Sequence, residues 1–224
     1  MKKLFVLMLM AFSMATGVAK AQNLQVMYDA GRGCVTSTVE MFRPDSFGST
    51  YFFVDLDYTP KVTGAYWEIA REFCFWQDTD MYWLSAHIEY DGGMNTFMSF
   101  NNNWLVGATY SGHSADFSKT WSLSAMYKAM PGYVGSAVHT FQITGVWGIS
   151  FAKGWCDFSG FFDYWIENNQ SVFISEPQFW VNLNKIKGME KVNLSLGGEV
   201  ELSVNFGGMT GFHALPAVGA KWTF

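Results

Sequence analysis

Hydrophobic and polar residues alternate along most of this chain with a period of two, in runs of about ten residues broken by Gly, Asn, Asp and Pro. That pattern predicts β-strands with one apolar and one polar face; no 3.6-residue periodicity sustains a long amphipathic helix. In GSTYFFVDLDY (48–58), Thr50, Phe52, Val54, Leu56 and Tyr58 share one face, and Tyr51, Phe53, Asp55 and Asp57 the other. In GAYWEIAREFCF (64–75), Ala65, Trp67, Ile69, Phe73 and Phe75 oppose Tyr66, Glu68, Ala70, Glu72 and Cys74, with Arg71 interrupting the apolar side. YWLSAHIEYD (82–91) sets Tyr82, Leu84, Ala86, Ile88 and Tyr90 against Trp83, Ser85, His87, Glu89 and Asp91.

The second half repeats the theme. Trp155, Asp157, Ser159, Phe161, Asp163 and Trp165 form one polar-aromatic face. Ile174, Glu176, Gln178, Trp180 and Asn182 form the next, and Ser195, Glu199, Glu201 and Ser203 another. Weaker runs lie near 24–29, 35–42, 101–110, 117–128 and 136–151. With the closing segment they make about twelve strands in one domain, residues 22–224, since no linker or low-complexity tract divides the chain.

Alternation alone leaves open which face is wet. A soluble sandwich or lipocalin-like barrel buries its apolar face, whereas a membrane barrel turns that face to lipid and lines its interior with the polar one. Tyr58, Trp67, Tyr82, Tyr90, Tyr110, Tyr164 and Trp222 sit toward the ends of the apolar faces, as interfacial rings do. The polar faces carry Ser, Thr, Asn and aromatics rather than the abundant Lys of a soluble surface. The expected fold is therefore all-β, a transmembrane antiparallel barrel of about twelve strands. The uncharged stretch 130–152 is long enough for a membrane helix, but Gly132, Gly135, Gly145, Gly148, His139 and Gln142 argue against one.

The opening MKKLFVLMLMAFSMATGVAKA has a basic start at Lys2 and Lys3, an apolar run from Leu4 to Ala15, and the small-x-small site Ala19-Lys20-Ala21. These features predict a secretory signal peptide spanning 1–21, and hence export to the outer membrane of a bacterium. Removing Lys2, Lys3 and Lys20 takes the formal net charge from −5 to −8, which excludes nucleic acid as a partner. The three cysteines, Cys34, Cys74 and Cys156, allow at most one disulfide and form no CxxC motif.

The chain ends HALPAVGAKWTF, with Pro216, Val218, Ala220, Trp222 and Phe224 on one side of an extended segment. This resembles the last strand of bacterial outer-membrane barrels, whose terminal Phe the barrel-assembly machinery recognises; Trp222 and Phe224 would carry that signal here. The strings NLQVMYDAGRG, VTSTVEMFRPDSFGSTYFFVDLDY and AYWEIAREFCFW, within residues 23–76, resemble a family of outer-membrane proteins common in Bacteroidetes, itself distantly similar to Tsx-type nucleoside channels. The resemblance implies a twelve-stranded barrel with a narrow, aromatic-lined passage, and outer-membrane lipid as surroundings.

Placing the polar faces inward gives candidate lumen or solute-binding residues Tyr51, Phe53, Asp55, Tyr66, Glu68, Glu72, Trp83, His87 and Glu89 from the first half. The second half adds Trp155, Asp157, Asp163, Trp165, Glu176, Trp180, Glu199 and Glu201, with Lys128 and Lys221 as inward bases. Rings stack on flat solutes such as nucleobases, and carboxylates accept hydrogen bonds from sugar hydroxyls or attract cations. Two functions follow: a passive channel for small polar solutes, or a barrel plugged by its own side chains. A lipid hydrolase is less favoured, because no GxSxG motif occurs and nothing aligns His87, His113, His139 or His213 with a serine. No cofactor is expected and no metal, since the DTD at 78–80 and EYDGG at 89–93 lack the EF-hand pattern.

Overall fold

A computed structural model describes residues 22–99, 102–131 and 137–224. The expected signal peptide lies outside these residues. The strands are β1 (Gln22–Asp29), β2 (Cys34–Asp45), β3 (Gly48–Tyr58), β4 (Val62–Phe73), β5 (Leu84–Asn95), β6 (Asn103–His113) and β7 (Lys119–Met130). They continue as β8 (Val138–Phe151), β9 (Cys156–Glu167), β10 (Gln170–Ser175), β11 (Gln178–Asn182), β12 (Leu194–Val204) and β13 (Phe212–Thr223). Each pairs antiparallel with its neighbours, and β13 returns to β1 through Leu24↔Trp222, Val26↔Ala220 and Tyr28↔Val218. The sheet is a closed cylinder without an exposed edge, so the ladder satisfies the backbone amides internally.

β10 and β11 are one stave interrupted at Glu176-Pro177, both pairing with β9 on one side and β12 on the other. Pro177 has no N–H to give the ladder. Its carbonyl still accepts Val200 N–H at 3.1 Å, and Glu176 N–H reaches Phe161 O at 3.1 Å. Gly160 makes room for the offset: a Cβ there would lie 2.5 Å from Glu176 O. Counting the two halves together, the barrel has twelve staves.

The cross-strand register decides which face is inside. Glu72 opposes His87, which opposes Gly107, which opposes Met126, all on one face. Rather more than half of the buried side chains are polar or charged, among them Asp29, Ser85, His87, Asp91, Thr109, Ser124, Lys128, Gln142, Ser195, Glu201 and Ser203. Exposed positions on the other face are large and apolar, among them Val35, Val39, Ile69, Val106, Leu123, Ile143, Leu196 and Val218. The barrel is inverted, apolar outside and polar within. A soluble monomer does not expose a continuous apolar belt of this kind, whereas a membrane barrel requires one.

Aromatic rings border the belt. At the end holding Gln22 and Phe224, the terminal end, Trp83 packs on Tyr110 (centroids 5.4 Å), with Trp121 on the next strand and Trp222 across the barrel at the same end. At the opposite, far end, Tyr90 packs on Trp104 at 4.7 Å, and Tyr28, Tyr58, Tyr127 and Tyr164 continue the girdle. The stretch 130–152, long enough for a helix, forms strand β8 over its second part. Among the described residues no helix is long and apolar enough to cross a membrane. Cys34, Cys74 and Cys156 are all unpaired.

Candidate functional site

Because alternate residues of every strand point inward, the lumen is built by the sheet itself. β4 carries Tyr66, Glu68 and Glu72 inward, and β5 carries His87, Glu89 and Asp91. On this wall, carboxylate oxygens of Glu68, Glu89 and Asp91 all lie within 4.8 Å of one another. Tyr66 Oη donates to Glu68 Oε1 at 2.7 Å, and Asn103 Nδ2 on β6 donates to Asp91 Oδ2 at 3.4 Å. Asp163 on β9 lies within electrostatic range of Glu68 and Asp91; its carboxylate accepts the Thr144 hydroxyl.

Asp55, Glu176 and Glu199 form a second acidic group, from β3, the Pro177 break and β12. Gln178 Nε2 donates to Glu199 at 2.9 Å, while Asp55 Oδ1 is buried with no partner. Tyr51 lies in electrostatic range of Glu40, Glu68, Asp55 and Glu176, members of both groups among them. Phe53 stands 6.0 Å from the Tyr51 ring and 5.8 Å from that of Tyr66. Together these residues make an acidic waist with an aromatic strip down one wall.

Three bases face these acids, Arg32 in electrostatic range of Asp55, Glu176 and Glu199, Lys128 of Asp91 and Asp163, and Lys221 of Glu40 and Asp157. At the far end, Arg32 folds in from the β1–β2 turn and bridges Asp29 (2.7 Å) and Glu201. Lys128 Nζ stands 3.8 Å from the Trp165 ring centroid and donates to Gln142 Oε1 at 2.6 Å. At the terminal end Lys221 Nζ lies 4.6 Å from the Trp180 ring centroid. Trp180 is 0% exposed between Met27 and Ala217, its Nε1 donating to Gln178 Oε1 at 2.9 Å. Asp157 accepts from Asn182 at 2.7 Å nearby. A separate concavity of about 380 Å³ opens at the far rim, lined by Trp165, Glu167, Asn168, Phe206 and Met209 among others.

Glu72, His87 and Glu89 form a chain, with His87 Nδ1 2.6 Å from Glu72 and Nε2 3.2 Å from Glu89. Thr109 Oγ1 approaches His87 Nδ1 at 3.4 Å. A nucleophile and an orienting acid must use opposite ring nitrogens; here Glu72 and Thr109 share one, so this is not a catalytic triad. His113 Nδ1 is bound to Ser114 O, and His139 to Tyr127 Oη.

Two residues expected in the lumen are elsewhere. Trp83 precedes β5 rather than lying in it; its Nε1 donates to Asp80 O and its ring packs outside, on Tyr110. The irregular turn from 74 to 83 breaks the parity that the alternation assumed. Trp155 closes the short 3₁₀ turn between β8 and β9 and is exposed at the rim instead of in the wall. Arg32 was not foreseen, because a turn residue folding inward leaves no trace in strand periodicity. Neither was Asn103, which reaches Asp91 only through the β5–β6 register. Asp91 shares its face with Glu89 and was legible from parity alone.

A family model described as "Domain of unknown function (DUF5020)" matches residues 21–224. The chain belongs to that family. Curated proteins give no match. Among solved structures, the fold of this DUF5020 member is similar to the NanC porin (TM-score 0.58, 7% identity), covering 91% of this chain and 100% of that one. A chain from work on in-meso crystallization of membrane proteins gives a TM-score of 0.47 at 8% identity, covering 91% and 83%. The beta domain of the Bordetella autotransporter BrkA gives 0.37 at 9%, covering 91% and 98%. At such identities the likeness to NanC is one of fold.

Proposed function

We propose that this protein is a bacterial outer-membrane channel for passive passage of small polar solutes, favouring cations and neutral molecules over anions. The observation that carries the reading is the excess of acid within an inverted barrel: Glu68, Glu89 and Asp91 crowd together and Asp55, Glu176 and Glu199 lie in electrostatic range of one another, six carboxylates against Arg32, Lys128 and His87 as their neighbouring bases. Carboxylates in a narrow low-dielectric passage focus a negative potential that concentrates cations and repels anions. Residues 1–21 act as the export signal, outer-membrane lipid covers the apolar belt, and Trp222 and Phe224 present the last strand to the assembly machinery. Tyr51, Phe53 and Tyr66 offer ring faces to a flat polar solute, the nucleoside-like class that the Tsx resemblance implies. No enzymatic step belongs to this reading.

A specific observation favours a second reading, a sealed barrel: Trp180, Leu105 and Met126 point inward and are fully buried. Planar-bilayer recording of the refolded protein separates the two. The channel reading expects discrete conductance with a cation-selective reversal potential in a KCl gradient. A folded protein that conducts nothing supports the seal, and anion selectivity refutes the waist as the selecting element.

A further inference from the structure

We propose that Glu68, Glu89 and Asp91 form a binding site for a divalent cation on the β4–β5 wall of the lumen. Glu68 on β4 and Asp91 on β5 are direct cross-strand partners, an arrangement in which like charges repel. Glu89 brings a third carboxylate to the same place, with ligand oxygens of all three within 4.8 Å. Three anionic groups so close in a confined space call for a positive charge between them. The cations nearby answer that need only in part: His87 Nε2 meets Glu89 at 3.2 Å, and Lys128, in electrostatic range of Asp91, lies against Trp165 and donates to Gln142.

The hydrogen bonding also points to a ligand. Asp91 is 3% exposed, yet its Oδ1 is buried with no hydrogen-bond partner. Its cross-strand neighbour Asn103 likewise leaves Oδ1 buried and unpartnered. Around them, each carboxylate is oriented by one donor: Glu68 by Tyr66 Oη (2.7 Å), Glu89 by His87 Nε2 (3.2 Å) and Asp91 by Asn103 Nδ2 (3.4 Å). Outer groups that anchor one oxygen and leave another free characterise metal-holding carboxylates. The donor set is all oxygen, three anionic and one amide, which suits Ca²⁺, Mg²⁺ or Mn²⁺ and disfavours soft metals. The site does not require the lumen to conduct; it stands in an open or a sealed barrel.

The test is equilibrium binding to EDTA-treated, detergent-solubilised protein, by calorimetric titration with CaCl₂, MgCl₂ and MnCl₂ and by the Mn²⁺ electron-spin-resonance signal. The expected result is saturable binding of one ion per chain for at least one metal. Asp91→Asn and Glu68→Gln are each expected to weaken it at least tenfold, and Glu190→Gln, in an exposed loop, to leave it unchanged. Heat-modifiable migration on gels checks that each variant is folded. Two outcomes overturn the site: no saturable binding to folded wild-type protein, or equal weakening by Glu199→Gln on the opposite wall, which would mean diffuse attraction to an acidic lumen. Bilayer conductance is measured on the same preparations, so failure of the channel reading and failure of the metal site are seen independently.

Discussion

Gln25 and Val26 are neighbours in one strand, and they obey opposite rules. Gln25 is 1% exposed and donates to Asn23 and Glu40 across the inner surface; Val26 is 47% exposed and touches no core at all. The same contrast runs around the cylinder. The inner face is tied together by charged and amide groups such as Arg32–Asp29 and Lys128–Gln142. The outer face packs on no other part of the described chain, as the lipid-covered face of a membrane barrel does. Cohesion within the chain comes from the closed ladder and the inner polar contacts, with a few large inward side chains as wedges. Substitutions should therefore be judged by face rather than by residue type.

The largest effect is expected inside. Trp180→Ala removes a fully buried ring held by Met27 and Ala217 and leaves Lys221 without its aromatic partner. Loss of a buried Trp costs about 3–5 kcal/mol where neighbours cannot collapse. Denaturant unfolding of the protein in lipid vesicles measures this, and a loss under ~1 kcal/mol would mean that water already fills that part of the lumen. Next comes a charge on the outer face: Val39→Arg, in the middle of β2 between its cross-strand partners Leu24 and Val54, is expected to cost about 2–4 kcal/mol in vesicles. On a water-facing surface the same change would stay within ~0.5 kcal/mol. That smaller value would contradict lipid contact and collapse the contrast between the faces.

How much of this was legible beforehand divides along physical lines. Period two fixes a residue's face within a strand, so Tyr51, Phe53, Glu68, Glu89, Asp163 and Glu199 could be placed inward without knowing any neighbour. It holds even across Pro177, because Ile174, Gln178 and Trp180 keep one parity on both sides of the break. What it cannot supply is register. That Glu68 meets Asp91 rather than Glu89 depends on the turn between β4 and β5, where Trp76 Nε1 bonds Met81 O and Leu84 O. No short-turn rule counts such a loop, and the same irregularity turned Trp83 outward. The waist was readable as a set of acids; its geometry was not.

A smaller effect tests the outer girdle. Tyr90 and Trp104 are cross-strand partners with ring centroids 4.7 Å apart and planes tilted by 53°. A double-mutant cycle of Tyr90→Leu and Trp104→Leu should return a coupling of about 0.5–1.5 kcal/mol beyond area burial. Coupling near zero would show that the two rings bind headgroups separately, and the girdle would then be a property of the bilayer more than of the sheet.

The smallest effect lies where neither face rules, in the water-exposed turn between β6 and β7. Asp116 accepts the hydroxyls of Ser114 (2.7 Å) and Ser118 (2.8 Å) and the Ser118 amide (3.1 Å). Those donors, the Ser114 hydroxyl foremost, hold its carboxyl down at about 2, below the ordinary aspartate value of 3.8. A folded-state value below the unfolded one means that the turn's contribution is complete above pH ~4 and lost as pH falls through about 2. Carboxyl ¹³C shifts of labelled aspartates in micelles would report it, with the Asp116 midpoint displaced to low pH and returned toward 3.8 by Ser114→Ala. A midpoint unchanged by that substitution would assign the shift to the barrel's overall field, and a local turn would then no longer stand apart from the lumen as a region with its own donors.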